Sequence, residues 1–81
     1  MKITYDNHKR QSNIAKHGYD FADLDGEFFM SSLVIPAKEG RFMAIGVLGN
    51  GVVVVVFAYL GTEGISIISM RDASRKERNL L

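Results

Sequence analysis

Five consecutive valines, Val52 to Val56, sit inside an apolar run that continues to Leu60. β-Branched side chains are stiff at χ1 and suit a pleated surface better than a helix. Apolar residues on both faces make Val52–Tyr59 a central strand, covered on either side. A membrane helix needs roughly 20 apolar residues, which this run does not supply.

The flanks of the valine run place the other elements. Gly49-Asn50-Gly51 tolerates the positive φ of a tight hairpin turn, which leads back to a strand over Arg41–Leu48. Before it, Leu33–Ile35 reads as a strand closed by Pro36 and a turn around Lys38–Gly40. After Gly61–Gly64, another turn, Ile65–Met70 alternates, with Ile65 and Ile67 on one face and Ser66 and Ile68 on the other. At the start, Lys2–Tyr5 alternates as a short strand. Asp6 then caps a helix that runs to His17 and stops at Gly18. Asp20 caps a second helix with the stripe Phe21, Leu24, Phe28, Phe29, weakened at Gly26 by roughly 1 kcal/mol relative to Ala.

The tail is expected to be a short helix starting near Arg71, capped by Ser69 or Asp72. A capping box of Ser74 with Glu77 requires a later start. With the early start, Arg71, Arg75 and Arg78 share one face within about 40°, while Ala73 and Leu80 dock. The expected order is β-α-α-β-β-β-β-α: an α+β fold, one domain over 1–81, with a mainly antiparallel sheet packed by helices. At 81 residues and 47% hydrophobic the chain has room for one core and no second.

Net charge is +1, but the charges are segregated. Residues 1–17 carry Lys2, Lys9, Arg10 and Lys16 against Asp6. Asp20, Asp23, Asp25 and Glu27 follow as an acidic segment. Glu63 is the one charge between 42 and 70, and Arg71, Arg75, Lys76 and Arg78 close the chain against Asp72 and Glu77. If head and tail meet, a near-neutral protein gains a basic patch of the kind that binds polyanions. The alternative is a set of ordinary solvated helix faces. The acidic segment reads as solvated helix surface.

Several chemistries lack their residues. There is no cysteine, and His8 and His17 lie nine residues apart, a poor start for a zinc site. No GxxxxGK loop, GxGxxG turn or GxSxG elbow occurs. No cofactor and no metal are expected. What remains is acid–base chemistry on a phosphodiester, where RNA brings its own 2′-hydroxyl nucleophile and arginine forks grip phosphate oxygens. No basic segment followed by an apolar stretch opens the chain, so a cytoplasmic address and no membrane are expected.

Tyr5-Asp6, Asn13, Lys16-His17-Gly18 and Phe21 form an opening that resembles the BrnT family. Glu39-Gly40-Arg41, Ala44-Ile45-Gly46 and Ile67-Ile68-Ser69-Met70-Arg71, with Ala73, Arg75, Lys76, Glu77 and Arg78, agree with it. The resemblance spans essentially the whole chain. It implies a ribonuclease toxin of a type II toxin–antitoxin system with a RelE-like fold, which cleaves RNA without metal and stops translation. It also implies a BrnA-like antitoxin as partner, with operator DNA bound only through that antitoxin. Two positions depart from the family: Ser66 stands where many members have Arg, and Leu81 where many have Tyr. Those departures motivate the competing reading, a non-catalytic module that binds a partner or nucleic acid.

The expected catalytic residues are Arg71, Arg75, Glu77, His17 and Arg41. Arg71 and Arg75 would stabilise phosphate charge, or else pair with Asp72 or Glu77 on the surface. Arg41 would act with Glu39, or form a turn salt bridge worth about 0–1 kcal/mol. His17 would act as acid or base, though a cation at a helix end needs no function. Glu77 would be a general base if burial raised its pKa, or a structural partner for Arg75 or Arg78. Lys9, Asn13 and Lys16 share a helix face at i, i+4, i+7 and are expected, with Arg78, to contact RNA.

Overall fold

In the computed structural model, which describes residues 1–81, the valine run is strand β4 (Gly51–Leu60) at the centre of a five-stranded sheet. Strands β1 (Lys2–Tyr5), β2 (Leu33–Pro36), β3 (Phe42–Leu48) and β5 (Gly64–Asp72) surround it in the order β1-β5-β4-β3-β2. Every neighbouring pair is antiparallel except β1 with β5, where Lys2 stands opposite Gly64. Alternation along β4 divides its side chains between two faces. Val53, Val55 and Phe57 enter a ten-residue core with Phe21, Leu24, Phe28, Ala44, Ile65, Ile67 and Met70. Val54 turns to the other face, where it meets Ile45 and Ala73. Full burial of three successive valines on both faces is what a central strand requires.

Helix α1 (Asn7–His17) forms as its caps dictate. The Asp6 carboxylate accepts from the His8 and Lys9 N–H groups, and Gly18, at φ +75°, donates its N–H to the Ile14 carbonyl. The second helix of the sequence reading is two pieces. Asp20 caps a single 3₁₀ turn, Phe21–Asp23, and Leu24 is extended. Asp25 then caps a new helix, α2 (Gly26–Ser31), by accepting from the Phe28 N–H at 2.9 Å. Two aspartates compete as caps, and Gly26 sits at the first helical position, where its weak propensity matters least. Phe21, Leu24 and Phe28 are nevertheless buried as their spacing indicates. Phe28 lies on Gly46 of β3. A Cβ there would overlap the Ser32 hydroxyl and stand 3.0 Å from the Phe28 ring.

The tail also differs. Arg71 and Asp72 remain in β5, because β4 continues to pair with them through Val54 and Val53. Helix α3 is Arg75–Arg78, capped by the Ser74–Glu77 box. The three-arginine helix face is therefore not built: Arg71 is a strand residue. Ala73 is buried, but Leu80 is 56% exposed and does not dock. Ser69 lies within β5 and caps nothing.

Candidate active site

One face of α1 runs along the edge of β5. Lys9, Ser12, Asn13, Lys16 and His17 form one wall of a cleft of about 240 Å³, and Ile68 and Ser69 form the other. The i, i+4, i+7 spacing of Lys9, Asn13 and Lys16 thus becomes a common lining. Lys16 and His17 occupy the last turn of α1, where the helix dipole favours cations.

A bulge at Ile68 sets the opposite wall. The pairing of β4 with β5 steps from Phe57–Ile67 to Val56–Ser69, which leaves Ile68 without a partner. Beyond it, Ser69 and Arg71 face the same way, two residues and roughly 7 Å apart along the strand. Arg71 stands opposite Val54 and so lies on the sheet face away from α2.

Arg71 is held by Glu77. Its two terminal nitrogens donate to the two carboxylate oxygens at 2.8 and 2.9 Å, and one also donates to the Asp72 carbonyl at 3.1 Å. Glu77 accepts the Ser74 N–H as well, at 2.8 Å. These bonds, with that from Arg71 foremost, lower the Glu77 pKa to about 2, and the same pair raises that of Arg71. Glu77 is therefore an ionised clamp on Arg71, and burial has not made it a base. Arg75 and Arg78 are exposed on α3 and form no ion pair.

Asn13 has another task than the RNA contact expected of it. It is 5% exposed, and its side-chain amide is bonded to the backbone of Met70 and Tyr19. Arg41 ends the turn before β3, 3.7 Å from Glu39. The sheet register puts it two strands and about four residues from Arg71, roughly 16 Å. It lines no part of the cleft.

Three features escaped the sequence reading. Arg10, counted among the free cations, forms a two-bond pair with Asp20 at 2.7 and 2.8 Å. That pair, with the Ala22 N–H, holds the Asp20 pKa at about 2. The Tyr19 hydroxyl donates to Asp72, which raises the Tyr19 pKa and ties the chain after α1 to the end of β5. Ser12 and Ser69 add hydroxyls to the cleft. None of these pairings has a local sequence signal. A larger hollow, about 730 Å³, opens at the far end of β5, but Lys2 and Glu63 offset each other there. No three histidines, aspartates or glutamates gather into a group that could hold a metal ion.

Fold and cleft define a small α+β protein that offers cations and hydroxyls, the donor set a phosphodiester takes. Residues 5–77 match the model of the family described as ribonuclease toxin, BrnT, of type II toxin–antitoxin systems. The chain belongs to that family and is a ribonuclease toxin of a type II toxin–antitoxin system. It is similar to the crystal structure of the Brucella abortus ribonuclease toxin BrnT: 55% identity, TM-score 0.86, covering 93% of this chain and 99% of that one. No curated protein matches it.

Proposed function

We propose that the chain is a metal-independent endoribonuclease of RelE-like kinship, which cleaves RNA in the cleft between α1 and β5 and so stops translation. The observation that carries this reading is the meeting of Lys9, Lys16 and His17 with Ser69, one alternation from Arg71. Cations of α1 thus face a wall from the far end of the chain, which leads on to Arg71.

The chemistry uses the RNA's own nucleophile. His17 takes the proton of a 2′-hydroxyl, whose oxygen attacks the adjacent phosphorus. The phosphorus–5′-oxygen bond breaks, the leaving 5′-oxygen takes a proton from solvent water, and a 2′,3′-cyclic phosphate results. Lys16 and Arg71 offset the charge that builds on the phosphoryl oxygens. Arg75, Arg78 and Lys9 hold flanking phosphates, and Arg41 reaches RNA farther along the open sheet face. A BrnA-like antitoxin, laying an acidic segment over these cations, neutralises the toxin, and operator DNA is bound only through that antitoxin. No helix is long and apolar enough to cross a membrane, and a cytoplasmic site of action fits a translation inhibitor.

The test is cleavage of purified RNA with and without EDTA. Cleavage that survives EDTA and falls in Arg71→Ala and His17→Ala supports the reading; intact RNA across a range of salt concentrations refutes it. The competing reading, a non-catalytic binding module, draws on Ser66 and on the Arg71 fork already filled by Glu77. Under it, wild type and Arg71→Ala are equally harmless on expression without antitoxin.

A further inference from the structure

The walls of the cleft come from distant parts of the chain, and one side chain of α1, that of Asn13, is hydrogen-bonded to β5. Strand β1 ends at Tyr5, opposite Ile67, while β5 runs on to Asp72. Past the bulge at Ile68, that edge of β5 has no strand beside it. Asn13 takes the strand's place. Its Oδ1 accepts from the Met70 N–H at 3.0 Å, and its Nδ2 donates to the Met70 carbonyl at 2.9 Å. An amide that bonds both the N–H and the C=O of one residue offers what a neighbouring strand would offer. Nδ2 donates a second time, to the Tyr19 carbonyl at 3.1 Å, so the same group also holds the chain that leaves α1.

We propose that Asn13 is the positioning residue of the cleft. It does not touch RNA. It sets the height and rotation of α1 against β5, and with them the gap between Lys9, Lys16 and His17 on one wall and Ile68 and Ser69 on the other, next to Arg71. The proposal rests on the cleft being the site of RNA cleavage. Two observations carry it. Both Nδ2 donors are committed to backbone carbonyls in a nearly closed site, so none is left for a ligand. Lys9 and Lys16 lie about one turn to either side of Asn13 on the same helix face, so a shift at Asn13 is passed to both.

The test pairs Asn13→Gln with Asn13→Ala, each measured by thermal melting and by steady-state cleavage of one RNA. Glutamine keeps the amide but is longer by one methylene, about 1.5 Å. It should preserve much of the stability yet displace the helix: kcat falls roughly 10- to 100-fold while KM stays within about threefold. Asn13→Ala should lower both melting temperature and kcat. If Asn13 only supported the fold, glutamine would restore stability and turnover together. A folded Asn13→Gln with wild-type kcat overturns the proposal. So does a raised KM at unchanged kcat, which would make Asn13 an RNA contact. Where only one variant folds, its kcat decides; if neither folds, Asn13 belongs to the fold alone and the proposal is lost. Lys16→Ala and Arg71→Ala run alongside. If both cleave like wild type, the cleft itself is misread. If they are impaired and Asn13→Gln is not, only the positioning role fails.

Discussion

Arg71 and Glu77 meet through two parallel hydrogen bonds of 2.8 and 2.9 Å, one residue from the end of a strand and the other from a four-residue helix. The carboxylate occupies the fork that a phosphate group would take. A phosphate brought to Arg71 would therefore compete with Glu77 or meet the outer side of a side chain that is 37% exposed.

Glu77→Gln separates clamp from base. With the charge removed, the Arg71 fork is freer, and RNA binding should tighten several-fold in low salt. Stability should fall by about 1 kcal/mol, since the pair is partly screened and the capping box is weakened. Binding titrations and melting curves read the two effects. Abolished cleavage in a folded Glu77→Gln protein would restore the carboxylate to the role of general base.

Acid should destabilise the protein in a defined window. Asp20 and Glu77 are both held at about 2, below their ordinary values of 3.8 and 4.5. A carboxylate whose pKa is depressed in the folded state contributes stability above its unfolded pKa and loses it as pH falls toward the folded one. The melting temperature should drop between about pH 5 and pH 2, and Asp20→Asn should flatten part of that drop. A profile unchanged by Asp20→Asn would show that the pair with Arg10 contributes nothing.

Lys9→Ala and Lys16→Ala should each weaken RNA binding across sequences and reduce the slope of log K against log salt by about 1. Lys16→Ala should also lower kcat. Equal salt slopes for wild type and both variants would place RNA elsewhere on the molecule.

Gly46→Ala should destabilise by about 1–3 kcal/mol, because the new methyl overlaps the Ser32 hydroxyl and crowds the Phe28 ring. Chemical denaturation measures it. A variant as stable as wild type would mean that α2 lifts off β3 without cost.

Local chemistry made much of this fold legible. The valine run identified β4, Asp6 and Gly18 bracketed α1, and helix periodicity grouped Lys9, Asn13 and Lys16. Boundaries with several equivalent signals were not legible. Ser69, Asp72 and Ser74 can each cap a helix, and the length of β4 decided among them by pairing β5 as far as Asp72. That choice moved Arg71 from the expected helix face to a strand. Asp20 and Asp25 presented the same ambiguity. Arg10 with Asp20 and Asn13 with Met70 depend on tertiary proximity, which no spacing encodes.

The parallel seam between β1 and β5 has a consequence for the order of assembly. It joins Lys2 to Gly64 and Tyr5 to Ile67, contacts that close about three-quarters of the polypeptide and are slow to form. A nascent chain that has not yet reached Ile68 bears Lys9, Lys16 and His17 with nothing opposite them. The cleft between α1 and β5 is thus completed late, after its α1 wall has left the ribosome.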